Sequence, residues 1–184
     1  MTTFLKAVLQ RAVKINILNT MTGDKYNRKP ALYVSISSKT RYMRVPRKRL
    51  FALCEYISRN SERHIHDVDI AVVDSTEISA CNKRYLGSIG PTDVISFDLA
   101  ERPDRPLSAQ LIVCGQVAVK EAAGRRHGVQ RELMLYVVHG LLHLLGYDDR
   151  KPSDAAEMYL KQEHMLDDFL REYRSTMKQS RGKG

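Results

Sequence analysis

The sequence predicts an α/β (α+β) domain, a single unit with a small mixed sheet packed by helices and a metal site on a central apolar helix. Three observations lead there. At 184 residues and 43% hydrophobic, the chain has room for one domain with a real core. Short runs of mostly β-branched residues, such as Val-Asp-Ile-Ala-Val-Val at 68–73, alternate with segments whose apolar residues recur every three to four positions. The most apolar stretch, 133–147, is too short to span a bilayer and is interrupted by two histidines, so it reads as a buried helix.

The elements follow in order. Residues 1–30 form a basic N-terminal extension expected to be partly disordered; Gly23, Asp24, Asn27 and Pro30 give 20–30 the chemistry of a linker. Residues 31–173 form the folded domain, and 174–184 a basic disordered tail. Leu32–Ile36 reads as a strand. Leu50, Leu53, Cys54 and Ile57 have helical spacing, which sets a helix over 46–59 with Pro46 near its first turn. Val68–Val73 is a strand, and Asp74 or Ser75 caps a helix through about Tyr85. Val94–Phe97 and Gln110–Cys114 are short strands, Val117–Gly124 a helix, and Gln130–Leu145 a helix stopped by Gly146. Ser153 caps a last amphipathic helix carrying Met158, Leu160, Met165, Leu166 and Phe169. Sheet order is not legible in these signals.

Charge is uneven. The net +9 comes from basic ends around an acidic middle: residues 1–66 hold 14 Lys and Arg against 3 Asp and Glu, whereas 67–173 hold 12 against 18. That pattern suits a protein that grips a polyanion at its rim. Cys54, Cys81 and Cys114 are too scattered for a disulfide framework or a paired-cysteine metal site, so a reducing cytoplasm is expected. Residues 1–13 lack the uninterrupted apolar core of a secretory signal.

The chemistry concentrates in His139-Gly-Leu-Leu-His143-Leu-Leu-Gly146-Tyr-Asp148-Asp149. His139 and His143, four residues apart on a helix, share one face with their Cβ atoms about 6 Å apart, the spacing of two imidazoles that grip one ion. Apolar neighbours make that face at least partly buried, and a shared cation supplies the partner two such rings need. Gly146 turns the chain back, so Asp148 or Asp149 can return as a third ligand. Three protein ligands leave a fourth position for water, the pattern of a catalytic zinc site. A zinc peptidase is disfavoured, because its general-base Glu would follow the first histidine, where Gly140 stands. His64, His66, His127 and His164 lack such a setting.

These residues resemble the signature of the YbeY family of bacterial zinc-dependent endoribonucleases. Pro91-Thr-Asp-Val-Ile-Ser-Phe97, Asp74–Ile78 with Asn82 and Tyr85, and Leu111–Ala122 resemble further family segments, in order over about 68–170. The resemblance implies an α/β fold, one zinc ion per chain, ligands His139, His143 and Asp149, and an endoribonuclease domain over 31–173. It implies a role in ribosomal RNA maturation, notably at the 3′ end of the small-subunit RNA, and in ribosome quality control. The partners are ribosomal RNA and small-subunit proteins. Arg44, Arg47, Lys48 and Arg49 are the basic residues expected to hold RNA backbone. The sequence departs from the family near the expected site: Asp149 stands for the usual third histidine, Leu86 for an arginine, and Ala109-Gln110 for Gly-Asp. Lys83 and Arg84 are candidates to replace that arginine. A catalytically weakened member that binds RNA or ribosomes without turnover is the alternative reading.

Overall fold

The computed structural model describes residues 32–181; the expected N-terminal extension and linker lie outside them. The chain runs β1 (Tyr33–Ser38), α1 (Arg47–Arg59), β2 (Ile65–Val73), α2 (Ser75–Cys81), β3 (Val94–Asp98), β4 (Leu107–Cys114), α3 (Gly115–Arg125), α4 (Val129–Leu144) and α5 (Pro152–Arg181). The sheet order is β1-β2-β4-β3. β1, β2 and β4 are parallel, and β3 runs antiparallel on the edge beside β4.

Both faces of the central strands are covered, as a parallel pair requires. On the first face, Val68, Ile70 and Val72 of β2 and Leu107, Ala109, Leu111 and Val113 of β4 pack against α1, α4 and α5. On the second, Ala71, Val73, Ile112 and Cys114 pack with Ile95 of β3 and with Ile78 and Cys81 of α2. α1 presents the four apolar residues expected of it, all fully buried. The three cysteines are buried free thiols; burial pushes the Cys54 thiol up to about 12 and keeps it protonated.

β2 and β4 are longer than their apolar runs. β2 starts at Ile65 and β4 at Leu107 because the ladder continues through polar pairs. Asp67 and Asp69 alternate onto the second face, where Ser108 Oγ donates to Asp67 at 2.9 Å and Gln110 Nε2 to Asp69 at 3.4 Å. Those polar residues interrupt the apolar signal without interrupting the strand.

Three expectations are corrected. The helix after β2 is α-helical only to Cys81; Asn82–Leu86 form a π-turn. Asn82 is buried and donates its amide to the Gly90 carbonyl at 3.0 Å, and Gly87, at φ +69°, ends the turn. Ser153 does not cap α5: the helix begins at Pro152, whose fixed φ suits a first position, and Ser153 Oγ bonds Asp154 at 2.8 Å. α5 also continues to Arg181, so residues 174–181 are helical where a disordered tail was expected.

α4 is buried over most of its circumference and crosses β3 and β4 on the first face. Gly140 permits the close approach: a Cβ there would lie 3.0 Å from Leu111 Cδ2 and 3.1 Å from Val94 Cγ2. Arg63 anchors the end of α4 by donating to the Leu144 carbonyl at 3.4 Å and pairing with Asp98 at 2.7 Å. Arg131 ties α4 to α5 with a fork to Glu163 at 2.6 Å and Asp167 at 2.8 Å. We expect Gly140→Ala to destabilise the protein. Overpacking costs about 1–3 kcal/mol and the helix-propensity gain returns about 1 kcal/mol. A thermal melt at or above the wild-type midpoint would contradict this account of the crossing.

Candidate metal centre

The two histidines project from the last two turns of α4, and Gly146, at φ +100°, ends the helix behind them. The Gly146 and Tyr147 amides return to the His143 and Leu142 carbonyls at 3.1 and 3.0 Å. The reversed chain brings Asp149 back over the histidine face.

Each imidazole has its Nδ1 on an acceptor. His139 Nδ1 donates to Gln162 Oε1 at 3.0 Å, and His143 Nδ1 to the Tyr147 carbonyl at 3.1 Å. These bonds place the ring protons on Nδ1 and leave a lone pair on each Nε2. The two Nε2 atoms face each other at 3.0 Å, with the rings nearly perpendicular at 86°. Asp149 Oδ2 lies 3.7 Å from His139 Nε2 and 3.6 Å from His143 Nε2. Three electron-pair donors therefore converge, an arrangement that favours a shared cation. A tetrahedral ion about 2.0–2.1 Å from each donor sets donor separations of roughly 3.3–3.4 Å, close to those found. Among the described residues, this is the group of His, Cys, Asp and Glu side chains placed to hold a metal, its ligand atoms all within 4.8 Å of one another.

The structure also separates the two aspartates. Asp148 is taken by Arg150, whose Nη2 and Nε lie 2.6 and 2.7 Å away, and it accepts the Asp149 amide at 2.9 Å. The Arg150 hydrogen bonds hold its carboxyl at about 2. Asp149 is the carboxylate turned to the histidines.

The model of the family described as endoribonuclease YbeY matches residues 34–170. The chain belongs to the YbeY endoribonuclease family. It is similar to a protein named endoribonuclease YbeY from a Nocardioides species, 33% identical over 128 residues, covering 65% of this chain and 86% of that one. It is 32% identical over 143 residues to the protein of that name from Rhodococcus opacus, covering 72% of this chain and 79% of that one. The solution structure of TM1509 from Thermotoga maritima superposes with a TM-score of 0.55 at 27% identity, covering 78% of this chain and 93% of that chain.

The departures from the YbeY pattern do not all fall at the metal centre. Gln110 is fully buried on the second sheet face, opposite α4, in register with Asp69 and Phe97. The expectation that it sits near the site is overturned by strand alternation: Ala109 and Leu111 face α4, and the residue between them cannot. Leu86 is 59% exposed on the π-turn of the second layer. Lys83 and Arg84 share that turn, with the Arg84 guanidinium 5.6 Å from the Tyr85 ring centroid. Arg44, Arg47, Lys48 and Arg49 instead line a groove of about 670 Å³ in the first layer, with Gln130 and Tyr173. Arg47 donates to the Ile36 carbonyl, and Arg49 to Gln130 Oε1 at 3.2 Å. His127 pairs with the buried Glu132 at 2.9 Å and His66 with Asp67 at 2.9 Å, structural partners in both cases.

Sequence reasoning missed Gln162. Its signal was present: it is a polar residue between Met158 and Leu166 on the buried stripe of α5.

Proposed function

We propose that this YbeY-family chain is a zinc-dependent endoribonuclease that cleaves single-stranded RNA in ribosomal RNA maturation, at the 3′ end of the small-subunit 16S RNA and in ribosome quality control. It would work in the cytoplasm with ribosomal RNA and small-subunit proteins as partners. The observation that carries the reading is the convergence of His139 Nε2, His143 Nε2 and Asp149 Oδ2 on one point in a chain of this family.

A divalent cation held there supplies Lewis-acid stabilisation of phosphoryl charge and acidifies a coordinated water. The chain's own residues do the rest. Their hydrogen bonds fix the rings of His139 and His143 before an ion arrives, which lowers the reorganisation needed for binding and catalysis. Asp149 contributes one negative charge, so a divalent ion leaves the centre net positive toward a phosphodiester. The histidines are partly exposed and Asp149 is exposed, which opens the centre to a polymer. Among the described residues no helix is long and apolar enough to cross a membrane. Gly140 faces Leu111 and Val94, so the helix has no room there for a peptidase's carboxylate.

The deciding experiment incubates the full chain with ribosomal RNA, with and without chelator. Chelator should stop cleavage and added zinc should restore it. Cleavage indifferent to chelator, or binding of RNA without hydrolysis under any metal, overturns the reading.

The basic groove holds backbone phosphates in this reading, with Lys83 and Arg84 as a second anchor in the other layer. Gln130 marks the groove's position on α4, nine residues from His139, or about 14 Å along the helix. Side chains there grip RNA away from the scissile bond. We expect the double variant Arg44→Ala, Lys48→Ala to raise KM several-fold and leave kcat unchanged. The slope of log affinity against log salt should fall by about 0.7 for each phosphate left without its cation. An unchanged salt slope would remove the groove from the RNA path.

A further inference from the structure

We propose that Gln162 is a positioning residue for the metal centre: its side-chain oxygen fixes the tautomer and orientation of His139. Through that ring it sets the centre's affinity for a divalent cation. The proposal rests on the metal reading above.

Gln162 lies on α5, 23 residues from His139 in sequence, and is 9% exposed. A polar side chain so deep in an apolar stripe is costly unless bonded. Its Oε1 accepts the His139 Nδ1 proton at 3.0 Å, which turns Nε2 toward His143 and Asp149. Packing holds the acceptor in place. Met158 and Leu166, one turn to either side, are buried against α4, and Glu163, the next residue, receives one arm of the Arg131 fork at 2.6 Å.

The two histidines differ in what fixes them. His143 is oriented by the Tyr147 carbonyl, a backbone atom that no substitution removes. His139 depends on a side chain, so its orientation can be altered while its neighbour serves as an internal control. The chemistry of that side chain matters too. A carboxylate would orient the ring equally well and would raise its basicity, but it would add a negative charge beside the centre. The amide orients the ring and adds none. With Asp149 as the one ionised ligand, a bound divalent ion keeps an excess positive charge facing an anionic backbone.

The test uses the full chain and three measurements: imidazole nitrogen chemical shifts in metal-free protein, zinc affinity by calorimetry, and the thermal midpoint. In the wild type His139 should carry its proton on Nδ1. Gln162→Leu should shift His139 toward the Nε2-protonated form, leave His143 unchanged, and weaken zinc binding about 10–100-fold. Gln162→Glu should restore the wild-type tautomer and bind zinc at least as tightly. A role in packing alone would move the thermal midpoint and not the tautomer. If the leucine variant does not fold, Gln162→Met gives the same readings in a side chain of nearly the same shape. Gln162→Leu with wild-type tautomer and zinc affinity overturns the proposal, as does Gln162→Glu behaving like the leucine variant. A wild-type chain that binds no zinc overturns the metal reading itself, and with it this role.

Discussion

Replacing His139 or His143 by alanine is expected to abolish zinc binding and RNA cleavage while leaving the metal-free fold intact. In the proposed centre each supplies one of three ligands, so the loss of affinity should exceed the roughly 10–100-fold that an outer-shell partner costs. Cleavage should fall with it to background, since the remaining pair cannot hold an ion at the phosphate. The metal-free protein should respond far less. There the two Nε2 atoms lie 3.0 Å apart and each ring keeps its Nδ1 bond. Both rings are only half-buried, so truncation leaves little cavity. The melting temperature without metal should therefore hold in His143→Ala and fall slightly in His139→Ala, which leaves the buried Gln162 amide without its partner. Zinc at about 100 times its Kd should stabilise the wild type by about 2.7 kcal/mol. For a domain of this size that is a rise of roughly 5–11 °C. His139→Ala should show none of it. Melts with and without zinc, run beside an RNA cleavage gel, decide the matter: a zinc-dependent rise that survives in His139→Ala would remove this histidine from the centre.

The parts of this molecule that depend on local periodicity were legible in the sequence. The i, i+3, i+4, i+7 pattern of Leu50 to Ile57 gave α1, and the spacing of His139 and His143 put both rings on one face. What depends on partners distant in sequence was not. β2 and β4 extend through Asp67, Asp69, Ser108 and Gln110 because those side chains satisfy one another across the ladder, a fact held by no window of either strand. Which face of β4 is covered by α4 decided that Gln110 and the candidate metal centre lie on opposite faces, although the family pattern made them look like neighbours. The choice between Asp148 and Asp149 rested on Arg150, a residue with no part in the motif. Gln162 reaches His139 from another helix, and the sequence marked it only as a polar interruption of an apolar stripe.

The largest remaining effect is expected at Asp149, where this chain has a carboxylate and the family pattern a histidine. Asp149→Ala removes the one charged member of the proposed ligand set and should weaken zinc by more than 100-fold, whereas Asp148→Ala should leave affinity near wild type, because Asp148 serves Arg150. The pair of variants separates a ligand from a neighbour of equal charge. Asp149→His tests what the carboxylate does to selectivity. Two imidazoles and a carboxylate form a mixed donor set that tolerates manganese better than three imidazoles do, because carboxylate oxygen suits harder ions and imidazole suits zinc. The wild type should thus show a smaller preference for zinc over manganese than Asp149→His. The substitution also removes a negative charge, so an occupied centre in the variant should attract RNA more strongly at low salt. Competition titration of the two metals against wild type and variant measures the first effect directly. Equal zinc-to-manganese ratios in the two proteins would mean that Asp149 does not reach the ion, and the third ligand would have to be sought elsewhere.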